Sequence, residues 1–219
     1  ALAFFNAQGR VVSKDDYMIR TLTMPSTYGS VAKVYATQDE KLNITPENSR
    51  IRNPFAVSLY TLSYNDSKQL TLTNPATKEN IKEYLSPYRL LTDSITIKNA
   101  HIINIGIDFE IMTLPGFSSN EVLLKCLSKV KDMFDIDRWQ INQPIILADF
   151  YTELASIMGV QSIMKVGIFN LFNTQDGYSG NIYDIAQATR NEVVYPSLDP
   201  SIFEVKHPNT NIKGRVVNL

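Results

Sequence analysis

The stretch that most constrains the fold of this chain runs from Ile103 to Ile111, where Ile103, Ile105, Ile107, Phe109 and Ile111 alternate with Asn104, Gly106, Asp108 and Glu110. A period of two sends every apolar side chain to one face of a pleated strand and every polar one to the other. Such a strand belongs in a sheet with one face in a core, and Asn104, Asp108 and Glu110 predict that the other face is open to water. A turn at Pro115-Gly116 follows, then an amphipathic helix over about 119–134 with Leu123, Leu127, Val130 and Phe134 on one side. Beyond a short segment around Trp139, a second helix over about 145–158 carries Leu147, Phe150, Leu154 and Ile157 inward. Gly159 is placed to cap it ahead of a last strand over about 160–171. Two helices between two long strands cover one face of a small sheet, which gives an α+β fold with a mixed sheet and a β-α-α-β module.

Ahead of that module the punctuation is local. Ser13 and Asp16 have capping-box spacing, Tyr17, Met18 and Leu22 form a short apolar stripe, and Pro25 limits the helix. A strand over 30–37 is followed by a polar loop, Gln38 to Pro54, that contains Pro46. Runs at 55–64 and 69–73, rich in β-branched and aromatic residues, are joined by Asn65-Asp66-Ser67-Lys68 as a hairpin. Asn74-Pro75 opens a helix that carries Ile81, Tyr84, Leu85 and Tyr88, and 90–98 leads extended into the central strand. After Asn173 the chain shows turn chemistry at Gln175-Asp176-Gly177 and Ser179-Gly180, breakers at Pro196, Pro200 and Pro208, and the aromatics Tyr178, Tyr183, Tyr195 and Phe203. A segment with so little regular structure cannot offset its own ordering entropy, so it must lie on this domain or on a partner. Three parts are expected: an N-terminal α/β lobe over 1–98, the β-α-α-β lobe over 99–172, and an extended aromatic-containing tail over 173–219.

At 219 residues, with 44% hydrophobic and 20% charged, the chain can bury a sizeable core as one large domain or two small ones. With 21 basic against 22 acidic residues it shows no basic stripe, which argues against a nucleic-acid partner. No apolar run reaches the roughly 18 residues of a membrane span, and no signal-peptide pattern opens the chain. It starts on Ala1-Leu2-Ala3-Phe4-Phe5 without Met, as a piece of a longer protein would. Cys126 is the only cysteine, so neither an internal disulfide nor a cysteine-rich zinc site is expected. The sequons at Asn43-Ile44-Thr45 and Asn65-Asp66-Ser67 read as chance matches.

Candidate chemistry is sparse. Asp108 and Glu110 share a strand face and could form an acid/base pair, but no third group is placed with them, and a solvated sheet face explains both. Asp132, Asp135 and Asp137 lack the glycine and terminal glutamate of a calcium loop and suit a charged helix end. His101 and His207 have no partner at metal-ligand spacing, and Cys126 sits on an apolar helix face as a small buried thiol would. Nucleophile elbows, phosphate loops and dinucleotide fingerprints are absent, so no enzyme activity, metal or cofactor is expected. Tyr60 and Tyr64 on a polar sheet face leave room for a glycan- or peptide-binding module. Tyr178, Tyr183, Tyr195 and Phe203 are the candidate interface anchors, since aromatic residues dominate contact energies; packing of the tail onto its own domain explains them equally well.

Gly9-Arg10-Val11-Val12-Ser13-Lys14-Asp15-Asp16-Tyr17, followed by Ser30-Val31-Ala32-Lys33-Val34, resembles the opening of the baseplate J-like family of contractile phage tails. Met158-Gly159-Val160-Gln161-Ser162-Ile163 resembles that family's junction between last helix and last strand, and the order of elements over about 9–172 follows the C-terminal half of its large baseplate wedge proteins from myophages. The resemblance implies a structural virion protein of the tail baseplate, assembled in the host cytoplasm. It implies self-association, contacts with other wedge proteins, and joining of wedges into a ring around the hub that rearranges when the sheath contracts. A phage-derived injection machine, such as a type VI secretion baseplate, is the related alternative. The hairpin at 60–72 and the segment after Asn173 depart from shorter family members, so contacts there do not carry over.

Overall fold

The computed structural model describes residues 11–38, 56–89 and 94–217. The opening Ala1 to Phe5, the Gly9-Arg10 start of the first motif, the first sequon, the loop with Pro46 and the start of the lead at Leu90 lie outside the described residues. The chain gathers into two compact units, Ala1–Ala100 and His101–Leu219.

In the first unit, α1 (Lys14–Leu22) starts as its capping box dictates. Ser13 Oγ accepts from the Asp16 amide at 3.2 Å, and the Asp16 carboxylate accepts from the Ser13 amide at 2.9 Å. These bonds hold the Asp16 carboxyl below the usual carboxylate range, the backbone bond from Ser13 contributing most. Its buried face is Tyr17 and Thr21, whereas Leu22, expected in the stripe, is exposed. One turn on from Tyr17 the inward position falls to Thr21, whose hydroxyl is satisfied by the Tyr17 carbonyl at 2.7 Å.

A 3-10 turn at Ser26–Tyr28 leads to β1 (Lys33–Gln38), β2 (Ala56–Tyr64) and β3 (Leu70–Leu72). The β2–β3 turn is held by Asn65, whose Oδ1 accepts from the Ser67 and Gln69 amides at 3.0 and 2.9 Å. Next come α2 (Pro75–Leu85), with Asn74 Oδ1 accepting from the Thr77 amide at 2.7 Å, and β4 (Ser94–Asn99). β2 is the centre of this sheet: Leu62 stands opposite both Lys33 and Leu72, so β1 lines one edge, while β4, parallel, and β3, antiparallel, follow each other along the other. Residues 94–99, expected to run extended into the next strand, instead complete this sheet. Tyr17, Ile81 and Leu85 from the helices close over Val34, Ala36, Val57, Leu59 and Ile95 from alternate strand positions.

The second unit is built on β5 (His101–Thr113), which contains the alternating stretch. After it come α3 (Ser119–Met133), β6 (Ile145–Ile146), α4 (Leu147–Ala155) and β7 (Val160–Asn170), which pairs antiparallel with β5. α3 packs on the sheet and α4 on β7 and α3, so both helices cover the apolar face. The inward stripe of α3 is Val122, Cys126 and Val130, with Leu123 and Leu127 half-buried at its flank, a rotation of about one residue from the expected stripe. Gly159, at φ +99, turns the chain into β7 past the end of α4 and does not cap the helix.

The segment after Asn173, expected to lie extended as a tail, is folded into the unit. It contains α5 (Ile185–Ala188), β8 (Thr189–Arg190), β9 (Val193–Val194), β10 (Ser201–Glu204), α6 (Pro208–Asn211) and β11 (Ile212–Val216). β9 joins β8 and β6 in a small antiparallel sheet. β10 pairs parallel with residues 101–104 of β5 and β11 with 107–111. The His101 amide donates to Pro200 and the Ile111 carbonyl accepts from Val217, so odd-numbered positions of β5 point to the β10/β11 edge and even-numbered ones to β7. Both edges of β5 are therefore occupied.

Candidate interaction site

Alternation of backbone groups sets a problem at the start of β5. Its even-numbered carbonyls face the β7 edge, but β7 stops at Asn170, opposite Ile105. The chain that follows β7 supplies the missing donors. Leu171 N and Asn170 Nδ2 donate to the Asn104 carbonyl at 2.8 and 3.0 Å, and Ser179 Oγ and Asn181 Nδ2 both donate to the Ile102 carbonyl at 2.7 Å. Gly177 and Gly180, at φ +81 and +74, make the two reversals that bring Ser179 and Asn181 back to β5.

The Asn104 side chain is part of this knot. Its Nδ2 donates to Glu204 Oε2 at 2.7 Å and its Oδ1 accepts from the Ser179 amide at 2.8 Å. Asn104 is 1% exposed and Glu204 3%, so the polar face expected to meet water is covered at this end by the segment read as a tail. Buried amides and carboxyls are retained only when hydrogen-bonded, and these are.

Farther along the same face, Asp108 lies 3.9 Å from Lys165 and Glu110 2.7 Å from Arg215. Each carboxylate meets a cation from a neighbouring strand, and the pair reads as cross-strand ties at a partly exposed surface. Phe169 lies over Gly106, its cross-strand partner, and the Asp108 carboxylate lies over Gly167 in the same way. Asp135 Oδ1 accepts from the Asp137 amide at 3.1 Å and faces Arg138, as a charged turn beyond α3 does. Among the described residues no group of three or more His, Cys, Asp or Glu is placed to hold a metal ion. Cys126 is fully buried, and desolvation pushes its thiol up to about 11.

The four tail aromatics divide. Phe203, 1% exposed on β10, is core and offers nothing to a partner. Tyr183 is half-buried against Phe203, its hydroxyl donating to the Tyr195 carbonyl at 2.7 Å, and burial raises its pKa. Tyr178 packs edge-on to His207, and its hydroxyl accepts from Asn211 Nδ2 at 2.7 Å. Tyr195 remains largely exposed, with Leu198 and Ile182 open to solvent on the same segment. In the first unit, Tyr60 is half-buried with the Lys98 ammonium 5.8 Å from its ring centre.

One feature of the second unit had no sequence signal beyond a lone tryptophan near Pro144. Trp139 stacks on Phe134 at 5.0 Å, and Phe134 packs on Phe150 at 5.4 Å. These rings, with Met133, Pro144 and Ile146, line a cavity of about 290 Å³ whose polar lining includes Gln143, Asp149 and Glu153. Trp139 is 9% exposed, and its Nε1–H is shielded from solvent with no acceptor among the described residues.

No family model matches the chain, and no curated protein does. Among solved structures, the fold is similar to a chain of the anti-feeding prophage (AFP) baseplate, seen by cryo-electron microscopy with 6-fold symmetry imposed. The match has a TM-score of 0.56 at 9% identity and covers 93% of this chain. This chain spans 40% of that one. At this identity the likeness is one of fold.

Proposed function

We propose that this chain is a structural part of a baseplate in a contractile injection particle, a phage tail or a prophage-derived relative, and that its work is adhesion to neighbouring subunits without bond-breaking chemistry. The observation that carries the reading is the fold likeness to an AFP baseplate chain over 93% of the sequence. The baseplate J-like motifs around Ser13, Val31 and Gly159 agree with it. In its finer form the reading makes the chain a wedge component of the virion tail that self-associates and joins wedges around the hub. Contraction of the sheath then requires rigid bodies with separable contacts between them. Of the four aromatics, exposed Tyr195 is the one suited to a partner. The test is light scattering of the intact protein at high concentration, together with co-expression with the other wedge components of its own particle. Stable co-assembly, weakened by Tyr195→Ala, is expected; a monomer that joins none of those components overturns the reading.

A further inference from the structure

Among the described residues β7 is paired along one edge only, to β5. Alternation tells which groups its other edge presents. Gly106, Asp108 and Glu110 point to β7 and stand opposite Phe169, Gly167 and Lys165. Opposed residues of an antiparallel pair either bond each other or both turn away, so the N–H and C=O of Val166 and Ile168 point outward. No described residue bonds them there. Their side chains share the apolar face with Phe109 and Ile107, whereas Lys165 and Phe169 share the face of Glu110 and Gly106.

Open edges are usually blunted by charges, prolines or bulges. β7 has no proline and one charge, Lys165. Its two bulges, with Met164 and Gln161 as the unpaired residues, lie in the first half of the strand. The regular run 165–169 is left open, and no residue in it is fully buried. That run, Lys-Val-Gly-Ile-Phe, is self-complementary about Gly167. Set antiparallel to a second copy with Gly167 opposite Gly167, Val166 of each chain faces Ile168 of the other, and the outward groups exchange both their N–H···O bonds. On the opposite face each Lys165 ammonium meets the Phe169 ring of the other copy. No like charges oppose each other, and no side chain stands on the axis. A register centred on Val166 would instead set the Met164 bulge against Ile168. One centred on Ile168 would need the outer side of Asn170, where Asn170 Oδ1 already accepts from the Tyr183 amide.

We infer that β7 pairs edge to edge with β7 of a second copy across a two-fold axis at Gly167, making one continuous sheet of two. The contact consumes both free edges and stops at a dimer, as an isologous contact does. Main-chain bonds hold such an added strand, and the alternating side chains select it. This names a surface for the self-association in the assembly reading and rests on that reading for its place in a particle. The pairing itself is a property of the isolated chain.

The full chain is followed by light scattering and amide hydrogen exchange through a dilution series. The Lys165, Gly167 and Phe169 amides, bonded to β5, should be protected throughout, and those of Val166 and Ile168 only at concentrations where the dimer forms. Val166→Pro removes an outward N–H and no bond to β5, so it should keep Gly167 and Phe169 protected and weaken the dimer by about tenfold or more. Phe169→Lys sets like charges against each other across the axis and Phe169→Glu sets opposite ones, while both lose the same ring. At low salt the Lys variant should dimerise at least about threefold more weakly than the Glu variant. These two variants leave the main chain alone and decide the matter where the proline disturbs folding. Val166 and Ile168 amides that exchange freely at every concentration, or are already protected in the dilute monomer, overturn the pairing. A dimer indifferent to Val166→Pro, or weakened equally by both changes at Phe169, overturns it as well. This dimer in a chain that joins no wedge component leaves the pairing standing and removes the wedge reading; co-assembly by a chain that stays monomeric does the reverse.

Discussion

Asn104→Ala tests whether the polar knot holds the C-terminal segment in the second unit. The substitution removes the 2.7 Å bond to Glu204 and the 2.8 Å bond from the Ser179 amide. A buried polar group that loses its partner costs about 1–3 kcal/mol, so two such groups set an upper range of about 6 kcal/mol. Ser179 is an exposed residue, so water can take up part of the loss at its amide; Glu204, at 3% exposure, is cut off from water but keeps a further interaction within the chain. The expected cost is therefore about 1–3 kcal/mol, a sizeable share of the ~5–15 kcal/mol that stabilises an ordinary domain. Urea unfolding of the variant and the parent gives the total, and amide hydrogen exchange locates it. Ser179 should lose protection first, followed by residues 202–204 of β10. Asn104→Asp sharpens the test, because it sets a second carboxyl against Glu204: it should cost more than Ala at neutral pH and recover as acid protonates the pair. A cost below about 0.5 kcal/mol for Asn104→Ala, with Ser179 exchange unchanged, would refute the argument that the Asn104 side chain holds the C-terminal segment in place.

Three further outcomes follow from single positions. A Cβ at Gly214 would sit 2.5 Å from the ring of Phe109, which is 1% exposed, and 2.9 Å from Leu123; one at Gly106 would meet the ring of Phe169, which is 40% exposed and can turn away. Gly214→Ala should therefore cost about 1–3 kcal/mol by overpacking and Gly106→Ala less, and equal costs in chemical denaturation would contradict the packing described. The two-residue turn between β8 and β9 holds Asn191 and Glu192 at φ +50 and +60, a conformation in which the second position favours glycine, so Glu192→Gly should raise stability by about 0.5–1 kcal/mol in thermal unfolding. Cys126, with its thiol pushed up to about 11 by burial, should resist a thiol reagent at pH 8 in the folded chain and take up one equivalent on unfolding. Rapid labelling of the native chain would show that this part of α3 opens freely.

What could be read in the sequence was whatever a local rule controls. The capping box at Ser13 and Asp16, the Asn74-Pro75 helix start, the Asn65 turn and the alternation from Ile103 to Ile111 each depend on residues within a few positions of one another. The pairing of Ser201 with His101 depends on residues 100 positions apart, and Ser201–Glu204 is buried on both faces, so it shows no alternation to betray a strand. Flanking Pro200 and Pro208 read as breakers, yet they only bound β10 and open α6. Asn104 was misread for the same reason: its polarity pointed to water, and the donors and acceptors that bury it come from Ser179 and Glu204. The Trp139 cavity is formed where α3, the turn after it and α4 meet, so no spacing along the chain announces it.

These two features also separate what must stay together from what must let go. In the second unit, β5 has both edges paired, and the segment after Asn173 supplies one of them along with the bonds that finish the other. Detaching that segment would expose backbone groups on both sides of the strand at once, a loss no surface contact of ordinary size could offset. On the proposed assembly reading, contraction therefore has to leave the Asn104–Glu204 knot closed and separate contacts at side chains such as Tyr195, Leu198 and Ile146, which are open to solvent. If contraction instead unpaired β10 from β5, hydrogen exchange at 202–204 would rise between the extended and contracted particle. With the rigid-body account, it stays the same in both.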